Sequence, residues 1–211
     1  MNPALLGLAF LAGHVGPGYT AQVDNPWFPL EPGTTYLYEG SKDGQPGRDV
    51  VTVTNRTITI AGAPCRVVDD RLYLRGRLAE RTSDWYTQDR KGNVWYFGER
   101  TAELDAHGRV TSTEGSWEAG VAGARAGVVM PARPRAGASF LEEFWKGHAE
   151  DHAQIAGLFG KPTTTALLTK EWTPLEPGVI DRKLYVRGVG LVLEETVKGG
   201  SERFALVSVR G

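Results

Sequence analysis

The chain has 211 residues, of which 41% are hydrophobic and 23% are charged, a composition typical of a globular protein and not of a disordered chain. Its formal net charge is −1, and its basic residues are interleaved with Asp and Glu, which excludes the basic stripe that a nucleic-acid-binding surface needs. The single cysteine excludes an intrachain disulfide and a cysteine-rich zinc or iron–sulfur site.

The N-terminal segment 1–13 contains an apolar run of about ten residues. This run is too short to span a bilayer, which takes about 20 residues, but it has the length of the apolar region of a signal peptide. We therefore predict a leader over residues 1–23, a single β domain over 24–211, no transmembrane span, and an extracytoplasmic location, secreted or in the cell envelope. Because no Lys or Arg precedes the run, a cytoplasmic protein without a signal stays open as the alternative.

After the leader, short runs rich in β-branched and aromatic residues alternate with turns rich in Gly and Pro. Such runs favour a pleated, half-buried surface, and the first of them occupy residues 34–39, 49–54, 56–60, 65–74 and 78–89. Each is followed by a short polar connection, which predicts antiparallel neighbours.

Two aromatic runs, 84–89 and 94–99, flank the short loop 90–93, which contains Gly92 and Asn93. This pattern predicts a β-hairpin. A meander closes the chain, with strands predicted at 183–186, 191–197 and 203–209. About ten strands joined in this way predict an all-β fold, a strongly curved antiparallel sheet of half-barrel or barrel-like form.

The middle of the chain predicts an insertion into this sheet. Residues 113–135 contain four glycines and two prolines and are interpreted as a long loop with one turn of helix. Apolar residues in 140–159 recur at helical spacing, but Gly147 interrupts them. A short helix and a strand–turn–strand therefore both stay open for this segment.

The two ends of the domain carry a resemblance. Residues 25–39 (NPWFPLEPGTTYLYE) and 183–194 (KLYVRGVGLVLE) resemble the opening and closing motifs of a broad group of exported bacterial proteins. That group is similar to the half-barrel fold of lipoprotein carriers, in which a curved antiparallel sheet has a concave face. The resemblance implies this fold and export, but the long polar middle departs from the carriers and puts a lipid-carrying role in doubt.

A closer resemblance covers nearly all of the chain after residue 24. Residues 84–89, 92–99, 112–120, 149–151 and 173–177 resemble motifs of a group of secreted proteins from actinobacteria-like genomes. No activity is established for that group. The resemblance therefore implies fold and export, and it transfers no catalytic residue.

The aromatic hairpin is the first candidate site. Strict alternation along the first strand places Asp84, Tyr86 and Gln88 on one face. Along the second strand it places Trp95 and Glu99 on one face and Tyr96 on the other. Rings and acids therefore lie side by side. Such a surface suits a sugar or another amphipathic ligand, although cross-strand packing of the rings explains the same pattern. The predicted ligand-binding residues are Asp84, Tyr86, Trp95, Tyr96, Trp117 and Glu118.

The second candidate is a metal site at His148, Asp151 and His152. On a helix the two histidines, four residues apart, project from one face, which is the spacing used by zinc enzymes. On a strand they lie about 13 Å apart and cannot share an ion. The alternative is that all three are ordinary surface or hydrogen-bonded polar residues, in which case the protein has no cofactor.

The third candidate is a pair of catalytic carboxyls, drawn from Glu99, Glu114, Glu118 and Asp151. Paired carboxyls in an enclosed site carry out glycoside hydrolysis. The chain has neither a Gly-x-Ser-x-Gly elbow nor a phosphate-binding or dinucleotide-binding loop. Their absence excludes the common serine-hydrolase arrangement and the common nucleotide-binding motifs.

Three functional hypotheses follow. The first is an exported half-barrel that binds a small or polymeric ligand on a concave aromatic and acidic face, the ligand being a small molecule, a glycan or a lipid-like compound. The second is a carboxylate- or metal-dependent hydrolase with a site built from residues 84–152. The third is a structural envelope protein without a pocket.

Overall fold

The computed structural model describes residues 18–160 and 165–211; most of the predicted leader, residues 1–17, lies outside the described residues. All regular secondary structure in the described ranges is β-strand, which confirms the predicted fold class. The strands are β1 (Tyr19–Thr20), β2 (Thr35–Lys42), β3 (Gln45–Ile60), β4 (Ala63–Leu74), β5 (Arg77–Asp89), β6 (Val94–Leu104), β7 (Val110–Ser112), β8 (Trp117–Glu118), β9 (Arg125–Met130), β10 (Ser139–Leu141), β11 (Glu143–Phe144), β12 (His152–Phe159), β13 (Ala166–Trp172), β14 (Ile180–Val186), β15 (Gly190–Lys198) and β16 (Arg203–Arg210).

The middle of the chain differs from the prediction. The strand count is sixteen and not about ten, and residues 113–135, interpreted as a loop with one turn of helix, contain β8 and β9 and no helix. For 140–159 the strand–turn–strand alternative is confirmed, with β10, β11 and β12 in this part of the chain. Many residues of these segments pair with strands distant in sequence, so local helical spacing did not decide their conformation. A search of the described residues also finds no helix long and apolar enough to cross a membrane.

Tight turns build the long meander from β2 to β5. Asp43–Gly44, Ala61–Gly62 and Arg75–Gly76 each place two consecutive residues at positive φ. Two such residues in a two-residue loop form the turn whose twist matches that of antiparallel strands. The predicted hairpin at 90–93 is confirmed, with β5 ending at Asp89 and β6 beginning at Val94.

The strands form one antiparallel path, in the order β10-β12-β13-β14-β15-β16-β2-β3-β4-β5-β6-β9-β11. Its two ends, β10 and β11, are separated in the chain only by Glu142. The segment 139–144 therefore pairs with β12 on one side and with β9 on the other. This double pairing makes the sheet a nearly closed, barrel-like structure.

Two hydrophobic clusters lie on opposite faces of β4 to β6. On β4, Val68 belongs to the first cluster and Val67 to the second, as alternation along a strand requires. The first cluster includes Val23, Trp27 and Leu30 from the segment before β2. The second includes side chains from the middle of the chain that cover the outer face of the hairpin, among them Trp117, Ala119, Ala124 and Ala149.

The close approach that completes the barrel requires a glycine. A Cβ on Gly127 of β9 would collide with the backbone of Leu141 and Glu142. We expect Gly127→Ala to lower the free energy of unfolding by about 2 kcal/mol, because neither backbone can move without breaking strand pairing. Urea unfolding monitored by tryptophan fluorescence measures the change.

Gly157→Ala is the matched control for this prediction. There the added Cβ meets only the ring of Phe159, a side chain that is 51% exposed and free to turn away. Its stability should stay within about 1 kcal/mol of the wild type. Equal losses in the two variants would contradict a special role for the β9 closure.

Candidate functional site

A β-bulge gathers four of the hairpin side chains on one face. Asp84 pairs with Glu99 and Tyr86 pairs with Tyr96, so β6 carries one more residue than β5 between the two pairs. Directly opposed residues share a face of the sheet, and Asp84 and Tyr86 share a face by alternation. The strict alternation expected on β6, which put Tyr96 and Glu99 on opposite faces, is therefore wrong.

Hydrogen bonding and ring stacking hold this group together. The Tyr96 hydroxyl donates to Oδ1 of Asp84 at 2.6 Å. The rings of Tyr86 and Tyr96 are stacked, with centroids 4.9 Å apart and planes 19° from parallel. Trp117 packs edge-on against Tyr96, with centroids 5.5 Å apart. The orientations of Asp84 and Tyr86 are thus fixed by their neighbours.

Asp84 and Tyr86 line one of two adjoining cavities enclosed by the curve of the sheet. These cavities, here called the chamber, have volumes of about 180 Å³ and about 190 Å³. They share a wall formed by Tyr38, Val51, Asp70, Leu191 and Glu194. The wall residues come from β2, β3, β4 and β15, which face each other because the sheet curves round them.

The rest of the lining differs between the two cavities. The first cavity adds mainly polar side chains, namely Lys42, Asp49, Glu80, Thr82 and Glu202, with Leu72 and Phe204. The second adds mainly aromatic and apolar residues around two charged ones, namely Phe28, Pro29, Leu30, Tyr36, Val68, Asp84, Tyr86, Lys183, Tyr185 and Gly190. The chamber therefore combines several carboxyls with an aromatic wall.

Both lysines of the chamber are already paired. Nζ of Lys183 lies 2.8 Å from Oε2 of Glu171 and 3.4 Å from Oε1 of Glu194. Nζ of Lys42 lies 3.1 Å from Oε2 of Glu202. The other four acids of the chamber, Asp49, Asp70, Glu80 and Asp84, have no salt bridge to any residue within 18–160 and 165–211.

Burial without a basic partner raises the pKa of several of these carboxyls. Burial raises the pKa of Asp84 to about 7, although the hydrogen bond from Tyr96 opposes the rise. Burial and the neighbouring Asp84 raise the pKa of Glu99 to about 9. Burial, together with a hydrogen bond to Asp49, raises the pKa of Asp70 well above its ordinary value. The interior therefore holds protons on acids at neutral pH.

The acidic interior continues to the closure of the barrel. Burial raises the pKa of Glu142 well above its usual range, and the neighbouring Glu171 adds to the rise. Burial and Asp151 raise the pKa of Glu143 to about 8. Burial alone would lower the pKa of Lys183, but Glu171 and Glu194 raise it well above its ordinary value. Lys183 is thus held in its charged form by the acids around it.

The other predicted ligand-binding residues lie outside the chamber lining. Trp95 belongs with the cluster on the opposite face of the hairpin, and its Nε1 donates to Oδ2 of Asp89 at 3.0 Å. Trp117 is only 4% exposed, and its buried Nε1 has no acceptor at hydrogen-bond distance among the described residues. It lies near Glu143, and this proximity opposes the rise in the pKa of the Glu143 carboxyl.

A separate groove of about 240 Å³ contains Glu118 and Glu99, with Trp85, Trp117 and Trp145 in its lining. Glu99 therefore lies between this groove and the Asp84–Tyr96 pair of the interior. Glu114, the remaining glutamate among the catalytic candidates, is exposed in the turn before β8. The four candidate carboxyls are thus not gathered in one site.

The structure does not bring His148, Asp151 and His152 together as metal ligands. His148 stacks on Trp145, with centroids 4.0 Å apart, and His152 at the start of β12 stacks on Trp172, with centroids 5.5 Å apart. Asp151 has a raised pKa because of burial, which Lys183 opposes. Within the described ranges no group of three or more His, Cys, Asp or Glu is placed to hold a metal ion. The helical interpretation that put both histidines on one face is wrong, because the segment forms strands.

Sequence reasoning missed most of the chamber, including Tyr38, Asp49, Asp70, Lys183 and Glu194. These residues lie on five different strands, so no local motif joins them. A weaker signal is present: Asp49 alternates in phase with Val51 and Val53, and Asp70 with Val68 and Leu72. An acid in phase with the apolar side of a strand points to the interior, where it needs a special environment.

No protein-family model matches the chain, and the comparison with curated proteins gives no match. Two solved structures are similar to it: a protein of Bacteroides fragilis predicted to be exported, with a YmcC-like fold, and a protein of Parabacteroides distasonis predicted to be a lipoprotein. The first is 12% identical with a TM-score of 0.45, and the second is 11% identical with a TM-score of 0.42. Each similarity covers 88% of this chain and 99% of the other chain.

The raised pKa values predict that stability falls as the pH rises. In the unfolded chain these carboxyls lose their protons near pH 4, whereas the pKa values of folded Asp84, Glu143 and Glu99 are about 7, 8 and 9. Between those values the folded protein binds more protons than the unfolded one, so the free energy of unfolding decreases with pH. We expect Tm to fall by about 5 °C or more between about pH 5 and about pH 9, measured by thermal melts.

Glu99→Gln tests the origin of this slope. The variant should lose less stability than the wild type above about pH 7, because the amide has no proton to give up. Glu103→Gln, on the same strand but exposed, should keep the slope of the wild type. A Tm that stays constant or increases toward high pH would show that the interior acids are ionised at little cost.

Proposed function

We propose that this protein is an exported binding protein that holds a small ligand in the chamber of its barrel-like sheet. The observation that carries the proposal is the chamber itself, which consists of two adjoining, partly open cavities: the first has a mainly polar lining and the second a mainly aromatic and apolar one. Binding sites for small molecules have this character, concave and largely preformed, with a few placed polar groups. Export is supported by the apolar segment within residues 1–13.

The size of the chamber favours a small ligand over a polymer. Pockets that take drug-sized molecules span about 300–1,000 Å³, and the two adjoining cavities, of about 180 and about 190 Å³, together lie near the lower end of that range. A polymer would need an open cleft along the surface. The many carboxyls also disfavour an acyl chain, because a hydrocarbon would bury them without hydrogen bonds.

Asp84 and Tyr86 are the predicted residues that we propose as direct ligand contacts. Tyr96 acts one step away, since its hydroxyl holds Asp84 in place. Tyr38, Asp70 and Glu194 join them from the shared wall, where a single ligand can touch both cavities.

A carboxylate-dependent hydrolase is the second candidate, favoured by the paired positions of Asp84 and Glu99. Hydrolysis by two carboxyls generally needs one acid with a raised pKa and one that stays ionised. Here, however, Asp84 lines the second cavity, whereas Glu99 lines the separate groove with Glu118. The two carboxyls do not line one common cavity, so the pair supports hydrolysis less well than the chamber supports binding.

Filling the chamber tests the binding function. Val51 lines both cavities, so Val51→Phe should occupy the space that a ligand needs. Small molecules of about ten non-hydrogen atoms or fewer, in cationic, neutral and anionic sets, are tested by thermal shift. A ligand at about 100 times its Kd contributes about 2.7 kcal/mol, which should raise the Tm of the wild type by several degrees. Val51→Phe should abolish that shift.

Val207→Phe is the matched control, because Val207 is 51% exposed and does not line the chamber. It should keep the response of the wild type. If no compound shifts Tm, or if Val51→Phe responds as Val207→Phe does, the chamber is not a binding site.

A further inference from the structure

The chamber contains a pair of neighbouring acids, Asp49 and Asp70, that has no salt bridge to a described residue. Oδ1 of Asp49 is fully buried and accepts no hydrogen bond from any N–H or O–H group in residues 18–160 and 165–211. Its neighbour is the carboxyl of Asp70. Two carboxyls in contact are satisfied only by a proton held between them or by a donor that comes from outside the protein.

Three potential donors around this pair are already committed elsewhere. The Tyr38 hydroxyl donates to the backbone oxygen of Leu191 at 3.0 Å, and the ammonium of Lys42 is paired with Glu202. On the other side of the shared wall, the Tyr96 hydroxyl donates to Asp84. None of these three groups is therefore free to donate to Asp49 or Asp70.

The charged groups that face Asp49 and Asp70 leave an excess of negative charge around this pair. Glu80 and Asp84 of β5 both act on Asp70 and raise its pKa. From the opposite side, β14 contributes Lys183 and β15 contributes Glu194. Lys183 is paired with both Glu194 and Glu171. At the outer end Lys42 and Glu202 neutralise each other. Asp49, Asp70, Glu80 and Asp84 remain without a basic partner in the described residues.

These four acids are distributed over both cavities. Asp49 and Glu80 line only the first, Asp84 lines only the second, and Asp70 lines both. Asp84 is only 9% exposed, so its carboxyl is presented to the cavity and not to bulk water. A ligand that occupies both cavities therefore meets Asp49 and Asp70 in the first and Asp84 in the second, and Val51 and Leu191 line both cavities.

The remaining wall is suited to an organic cation. Phe28 packs against Tyr86 and Tyr185, with ring centroids 5.2 Å and 6.3 Å apart, and all three rings line the second cavity. Aromatic faces attract ammonium groups, and apolar side chains accommodate a short hydrocarbon. A bare metal ion would use neither property.

We infer that the chamber binds a small aliphatic cation with N–H donors, of the short diamine type, with one ammonium group at Asp49 and Asp70 and the other at Asp84. This inference rests on the proposed binding function and specifies its ligand class. The ammonium groups supply the positive charge that the four acids without a salt bridge lack, and the hydrocarbon between them contacts Val51 and Leu191. Because the acids hold protons when the chamber is empty, the ligand displaces protons as it enters.

Three probes of equal carbon number test the charge requirement: 1,4-diaminobutane, 1,4-butanediol and succinate, titrated by calorimetry at constant ionic strength. We expect binding of the diamine and at least about tenfold weaker binding of the diol and of succinate. Diamine affinity should rise by about tenfold or more from about pH 5.5 to about pH 8.5, with proton release detected in buffers of different ionisation enthalpy.

Two variants test the positions of the charges. Asp49→Asn and Asp84→Asn should each weaken diamine binding by at least about tenfold. Asp43→Asn removes the same charge from the exposed β2–β3 turn and should leave the affinity unchanged. Thermal melts of the free variants show that they are folded, and removal of an unpaired buried acid should not lower Tm at about pH 8.

The outcomes separate this inference from the function on which it rests. If the diol binds as tightly as the diamine, or if Asp43→Asn weakens binding as much as Asp49→Asn, the cation inference is overturned. If no diamine binds but another compound shifts the Tm of the wild type and not of Val51→Phe, the inference fails while the binding function stands. If no compound binds in the chamber, both fail.

Discussion

The organisation of this protein depends on acids that are buried with too few bases. Ordinary interiors of β proteins are filled with apolar side chains, and a buried carboxylate without a partner is strongly unfavourable. Here Lys183 is paired with Glu171 and Glu194 on the two neighbouring strands. The acids beyond its reach relieve their charge by keeping protons, as the raised pKa values of Asp70, Asp84 and Glu99 show.

The closure of the sheet is linked to the same charges. The segment 139–144 joins β9 to β12, and at its centre Glu142 is buried beside Glu171 and Lys183. Glu143, the next residue, is near Asp151 and Trp117. The residues that complete the barrel therefore also belong to its acidic interior. The protonation of these acids and the integrity of the closure are coupled, since ionised carboxylates at the seam would repel one another.

The sequence predicts the strands and turns of this fold better than it predicts how the strands pair with one another. Turns and β-branched runs are local, so the hairpin at 90–93 and the C-terminal meander are predictable from a few neighbouring residues. The extra residue of β6 between Tyr96 and Glu99 is not, because only its pairing with Asp84 and Tyr86 reveals the bulge. Helical spacing in 140–159 was misleading for a related reason: β10 pairs with β12, β11 with β9 and β12 with β13, and the local spacing of apolar residues reveals none of these pairings.

The candidate site shows the same limit in chemical form. Asp84, Tyr86 and Tyr96 are predictable because aromatic and acidic residues stand together in one hairpin. Asp49, Asp70, Lys183 and Glu194 are distributed over the chain, and each one alone is an ordinary surface residue of a strand. Only the curvature of the sheet turns them inward and makes them neighbours across a cavity.

An interior of this kind is unfavourable for the empty protein, because protonated or unpaired acids replace packed side chains that would stabilise it. Proteins generally retain such destabilising groups at functional sites, where binding offsets the loss. In this protein four of these acids, Asp49, Asp70, Glu80 and Asp84, line one chamber and have no basic partner among the described residues. The arrangement that weakens the free fold is therefore the same arrangement that would select the ligand.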